Sequence, residues 1–230
     1  MNSTVPLSSL DRFLASFFNA EVAARYVAPM IDGMLLTMVL GLCVIATGLV
    51  LGLAVLRIQH VKLINGFIIA FADIFRALPP LVVIILLFFA FPYIELSMSA
   101  FTATWLALSL VLAAFTEEIF WAGMLAIPKG QWEAARSTGM GSWGSLVHVI
   151  LPQAVRMTVP PLTNRTIAIT KGTALGSVVA LHELLNVSSS ASSEAGNATP
   201  LVMGAVAYLI LFIPFVVLGR WVETRFAWKR

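Results

Sequence analysis

Charged side chains are scarce in this sequence. Asp, Glu, Lys and Arg make up 11% of 230 residues, hydrophobic ones make up 60%, and the mean hydropathy is +0.95. A soluble domain of this length has too little interior to hide so much apolar side chain, so lipid must cover part of it. Cys43 is the one cysteine and lies inside an apolar run. That excludes a disulfide framework and a cysteine-built metal cluster, and a small buried hydrophobe is expected there. His60, His148 and His182 are scattered and no H-E-x-x-H pattern occurs, so no metal site is expected. A G-x-x-x-x-G-K-[ST] phosphate loop is also missing, which assigns any ATP hydrolysis to another chain. No nucleophile, base and orienting group converge in the pattern, so no catalytic residues are expected and an intramembrane enzyme is disfavoured. The stretch before Pro29 lacks a basic segment followed by a compact apolar one, so no cleavable signal peptide is expected.

The formal charge of +3 and pI of about 9.4 invite a nucleic-acid reading. The basic residues sit instead at the ends of apolar segments, where they act as topology signals. A span needs roughly 20 mostly apolar residues. Residues 33–56 satisfy this without a charge. Residues 63–93 are too long for one simple span and carry Asp73, Arg76 and the pair Pro79-Pro80; an interfacial helix, a break and a span over 79–93 are expected. Further spans are expected over 101–125, 157–181 and 201–219, with 187–200, rich in Ser, Ala, Gly and Asn, as a loop. The expected fold is therefore an all-α membrane protein with five transmembrane helices. The segments at 57–62, 128–156 and 220–230 hold most of the Lys and Arg and face the cytoplasm; the N-terminus then lies outside and the C-terminus inside. Three parts follow: an external segment 1–32, one transmembrane domain 33–219 with an elbow at 128–152, and a cytoplasmic tail 220–230. Arg12 and Arg25, on the outer side, are balanced by Asp11, Glu21 and Asp32.

The polar segment from Ile127 to Pro152 is the most informative. Pro128 suits a helix start and Gly139 a left-handed stop. A new helix is expected from Ser142, capped by its hydroxyl, to Pro152. Two short helices joined by a tight glycine turn would transmit force better than a floppy loop.

Glu133-Ala134-Ala135, then Gly139, then Val149-Ile150-Leu151-Pro152 resemble the EAA motif of ABC-importer permeases, E-A-A-x3-G-x9-I-x-L-P, with Val149 in place of Ile. The resemblance runs from Gly33 to the tail and points to the polar amino acid uptake branch. Gly33 to Thr37, Gly48, Gly52 and Arg57 resemble its first span. Arg76 to Pro79 resembles R-G-T-P, with Ala77 and Leu78 departing from it. Pro160 to Asn164 resembles P-P-L-x-N, and Lys171 to Ser177 resembles K-D-T-S-L-x-S, with Gly172 replacing the acid.

The resemblance implies a type I ABC importer permease architecture in the bacterial inner membrane, as a multi-pass protein. It implies that Glu133, Ala134, Ala135, Gly139, Leu151 and Pro152 dock an ATPase subunit. It also implies two such ATPases that bind ATP and Mg, no cofactor in this chain, and a second permease copy or paralogue. A periplasmic or lipid-anchored solute-binding protein delivers the solute. No nucleic-acid partner is expected. An opine or sulfur compound is the alternative solute within the same superfamily.

Ionisable groups at membrane depth are costly and point to function by default. Glu118 matches the glutamate of the family's A-E-x-F-R-G element; Glu117 stands where a small residue is usual, and Trp121 replaces the arginine. Neighbours on a helix point about 100° apart. One glutamate is therefore expected on the translocation path and the other on a basic partner such as Arg165, and the added acid favours a substrate with a cationic group. The bland alternative is a structural salt bridge. Asn164, Lys171 and Thr173 are further path candidates, if Gly172 loosens the helix; helix packing is their alternative reading. Asp73 and Arg76 are expected to pair at i,i+3, and Gly48-x-x-x-Gly52 suits close helix approach. A proton-coupled carrier would use Glu117 and Glu118, but the inverted repeat common in such carriers is not evident, and the elbow would have no purpose there.

Overall fold

The computed structural model describes residues 8–55 and 62–226. Arg57, His60 and most of the basic connector, together with residues 227–230 of the tail, lie outside the described residues. Within them every element is helical: α1 (Ser9–Phe17), α2 (Ala20–Ala54), α3 (Lys62–Ala77), α4 (Pro80–Ile85), α5 (Ala100–Leu125), α6 (Lys129–Ser137), α7 (Ser142–Ser145), α8 (Leu151–Lys171), α9 (Leu184–Ala195) and α10 (Thr199–Phe226).

Among the described residues three stretches are long and apolar enough to cross a membrane: Ser9–Ala54, Ala100–Leu125 and Thr199–Phe226. A fourth is the bent pair Leu63–Ala77 and Pro80–Ile94, which turns through 102° at the expected break. The turn follows from the two prolines, because Leu78 precedes Pro79 and is pushed off helical backbone. Beyond α4 the chain widens into a π turn over Leu86–Ala90 and tightens into a 3-10 turn over Phe91–Ile94. The segment 157–181, which carries Arg165 and Lys171 beside several threonines, is not among the apolar stretches. It is helical to Lys171 and then tightens into a 3-10 helix over Gly172–Val179, in place of the loosening expected at Gly172.

The first span starts well before Gly33. Asn19 caps α2 by accepting from the Glu21 and Val22 amides at 3.0 and 3.1 Å, and Pro29 lies inside the helix. The expected loop at 187–200 is corrected to a helix followed by a short turn. In α9 the buried residues Leu184, Ser188 and Ala191 recur at helical spacing and face α2 and α10.

α5 is the central helix, buried on most sides, and α2 and α8 flank it. Leu40 and Val44 of α2 meet Leu108, Val111 and Leu112 of α5, with Ile169 of α8. Gly48 and Gly52 make this approach possible. A Cβ on Gly52 would lie 2.4 Å from the Thr116 Cβ and 2.6 Å from the Ala113 carbonyl. Gly52→Val should therefore cost at least the ~1–3 kcal/mol typical of overpacking, read as a lower melting temperature of the detergent-purified protein.

The N-terminal ends of α2 and α10 are tied by polar contacts to α1 and to the end of α9. Asn19 N–H donates to the Thr199 hydroxyl at 2.9 Å, Asn197 donates to the Ala15 carbonyl at 2.8 Å, and Arg25 pairs with Glu194 at 2.9 Å. The counter-ion of Arg25 is thus on α9, a partner the local acids of the N-terminal segment did not suggest.

Candidate functional site

The elbow begins at Pro128, whose extended backbone (φ −57°, ψ 138°) leads into α6. At its end Gly139 takes φ +85°, a left-handed conformation that glycine adopts without cost. Arg136 then reaches across the turn and donates to the Ser142 hydroxyl at 2.7 Å. This corrects the expected cap: the residue flanking α7 is Gly141, which has no side chain to cap with, and Ser142 instead holds Arg136. The second arm also does not stop at Pro152. A π turn over Leu146–Ile150 carries α7 directly into α8. Pro152 has no N–H for the preceding turn and its ring crowds the carbonyl four residues back, which suits a widened turn at that place. The elbow is thereby continuous with a helix that crosses the bundle.

Its two arms share a small core. Ile127, Ile150 and Ala154 are buried against Trp132, Leu146 and Val149, and Gln153 donates to the Gln131 side chain at 3.1 Å. Ala135 is turned into the elbow and is 5% exposed, while Glu133, Ala134, Gly139, Leu151 and Pro152 are on the outside. The outward set presents one acid beside small and apolar groups on a braced support.

A cavity of about 420 Å3 opens where the α3–α4 bend meets α5 and α8. Ligand pockets span roughly 300–1,000 Å3. Its walls include Arg76, Pro79 and Pro80 from the bend, Phe115 from α5, and Arg165 and Gly172 from α8. Arg76 is held by two acids, Glu118 at 3.2 Å and Asp73 at 3.6 Å. The i,i+3 pair is thus present, and Glu118 pairs with a basic residue as expected of one of the two glutamates, here Arg76 rather than Arg165. The bend explains this, since it lays the end of α3 against α5. Arg165 instead places its guanidinium over the Phe115 ring, 3.7 Å from the centroid.

Glu117 is fully buried and does not line the cavity. Thr173 is also fully buried, and its hydroxyl donates to the Thr170 carbonyl at 2.9 Å. Asn164 and Lys171 are exposed on α8. Of the five path candidates, then, none is on the cavity wall, and Glu118 reaches it through its ion pair with Arg76. A second groove of about 500 Å3, between α2 and α10, is lined by Met30, Met34, Met203, Ile210 and similar groups without a charged side chain.

Sequence reasoning missed Glu183. This fully buried carboxylate starts α9 by accepting from the Leu185 and Asn186 amides at 2.9 and 2.8 Å, and it accepts from the Tyr208 hydroxyl of α10 at 2.8 Å. Its signal, an acid before a run of small residues, is too common to single out.

The family model described as binding-protein-dependent transport system inner membrane component matches residues 44–228. The chain is 33% identical over 170 residues to a probable amino-acid ABC transporter permease, YckA of Bacillus subtilis, covering 73% of this chain and 75% of that one. It is 32% identical to a probable glutamine ABC transporter permease of the same organism, GlnM, covering 84% and 91%. A crystal structure of an amino acid ABC transporter with histidines superposes with a TM-score of 0.82 at 28% identity, over 88% of this chain and 96% of that one. The fold is also that of the methionine ABC transporter MetNI in an inward-facing conformation, at a TM-score of 0.65 and 21% identity, covering 92% and 100%.

Proposed function

This chain belongs to the binding-protein-dependent transport system inner membrane components, and on that premise we propose that it forms the translocation path of an ABC importer for polar amino acids. The observation that carries the reading is the elbow, a braced pair of arms with an outward acid, continuous with α8. Such a part is suited to receive motion from a separate ATPase and pass it into the bundle. Its similarity to amino-acid and glutamine permeases supports the solute class.

The proposed topology has five spans: α2, the segment from Pro80 to Ile94, α5, α8 with its 3-10 extension, and α10. The N-terminal segment 1–32 then begins outside and the tail 220–230 ends inside. The elbow lies in the cytoplasm, where Glu133, Ala134, Gly139, Leu151 and Pro152 face an ATPase subunit and Ala135 braces them from within. A second permease chain, two ATPases and an external solute-binding protein complete the assembly, in the inner membrane of a bacterium. ATP and Mg act on the ATPases. Glu118 serves the path by holding Arg76 in place.

Reconstitution of the complex with its ATPase and binding protein tests this. Labelled amino acid should accumulate only with ATP and should be indifferent to a protonophore. Uptake that follows a proton gradient without ATP would return the chain to the secondary carriers.

A further inference from the structure

We infer that Arg165 is the carboxylate-binding residue of the cavity at the α3–α4 bend, and that this cavity takes acidic or neutral amino acids rather than cationic ones. The inference rests on the permease reading and deepens it.

The cavity wall carries two guanidinium groups and no carboxylate. Their situations differ. Arg76 is already engaged by Glu118 and Asp73. Arg165 has no acid within ion-pair distance among the described residues. Its recorded partner is the face of Phe115, which engages the cation through the ring and leaves the N–H edge of the guanidinium uncommitted. That edge is a planar fork matched to the two oxygens of a carboxylate. The stacking also fixes the plane of the fork, so less freedom is lost when an anion docks.

A cationic side chain would find the opposite of what it needs. The nearby acids, Glu118 and Asp73, are drawn to Arg76, and Glu117 is buried in α5 away from the wall. The extra acid of α5 thus does not line the cavity, so the cationic preference expected from it has no acid on the wall to rest on. Gly172 contributes space: a Cβ there would come within 3.3 Å of Leu108, so the α8 backbone borders the cavity directly.

The test uses the assembled permease–ATPase complex in lipid nanodiscs, without the binding protein, whose own specificity would mask that of the cavity. Equilibrium binding of labelled glutamate, glutamine and arginine is measured on wild type, Arg165→Gln and Arg165→Lys. Wild type should bind glutamate or glutamine ahead of arginine. Arg165→Gln should weaken that binding by about tenfold or more, the scale of a lost charged hydrogen bond, and Arg165→Lys should fall between. Arg165 is exposed, so the yield of assembled complex should not change. Arginine binding best to wild type, Arg165→Gln binding as well as wild type, or uptake without measurable binding to the complex would overturn the inference alone. A complex that assembles and hydrolyses ATP but takes up no amino acid with its binding protein present would overturn the permease reading, and this inference with it.

Discussion

Glu133→Arg should leave the chain folded in the membrane yet stop it from working with its ATPase. Glu133 is exposed on α6, so its replacement should change intrinsic stability by no more than about 0.5 kcal/mol. If the outward face of the elbow is the docking face, a reversed charge at its centre should cost about 2 kcal/mol of association, the scale of an interface hot spot. That corresponds to about thirtyfold weaker binding. The ATPase should no longer copurify at wild-type yield, and uptake should collapse in proportion. Gly139→Val is the mechanical counterpart. At φ +85° a β-branched side chain is strained by about 1–3 kcal/mol, and relief of that strain re-aims α6 against α7. Copurification and uptake unaltered in both variants would remove the elbow from the mechanism.

The two variants separate two properties of the same segment, and the sequence showed them unequally. The turn was legible because a left-handed stop nearly demands glycine and Pro128 marks the approach. The bend at Pro79-Pro80 was legible for the same kind of reason: proline's covalent geometry acts locally, whatever the tertiary context. The apolar runs gave α5 to within one residue and the start of α10 to within two, while α10 runs seven residues past the expected end, since lipid and a packed core both select the runs but not the polar turns beyond them.

What depended on long-range partners was not legible. α9 reads as a loop because Ser, Asn and Gly favour turns. It forms because a bundle this tight needs small side chains there: Ser188 lies where a Cβ on Gly204 would be 2.1 Å from its hydroxyl. Arg76 and Glu118 meet only after the chain has bent through 102°, so no spacing rule could pair them. The same holds for the cavity, whose two arginines arrive from separate helices. Glu117 and Glu118 show the limit most sharply. Two adjacent acids raise the expectation of a path-lining charge, yet helical geometry sends one into the bundle and the other to an arginine.

Glu183→Ala should be among the most destabilising single substitutions in the corner where α2, α9 and α10 meet. The wild-type carboxylate is fully buried and accepts three hydrogen bonds, two from the first turn of α9 and one from Tyr208. Removing it strips the cap of α9 and strands a phenolic hydroxyl in the same step. A lost cap and an unsatisfied buried donor together come to about 2–4 kcal/mol. Burying a carboxylate is itself costly, which offsets part of that loss and argues against a larger figure. Glu183→Gln should be milder, because its carbonyl oxygen still accepts from the Asn186 amide and its NH2 group can donate to the Tyr208 hydroxyl, so that only the bond from the Leu185 amide is lost. Tyr208→Phe should cost about 1 kcal/mol, as it leaves one carboxylate oxygen short of a donor. Melting temperatures of the detergent-purified variants should therefore run wild type, then Tyr208→Phe and Glu183→Gln, then Glu183→Ala. Because Glu183 joins α9 to α10 while Thr37 of α2 accepts from the neighbouring Leu184 amide at 3.0 Å, the loss should spread to all three helices. Alanine at 183 melting with wild type would mean that apolar packing of α9, through Leu184 and Ala191, is enough to hold this corner.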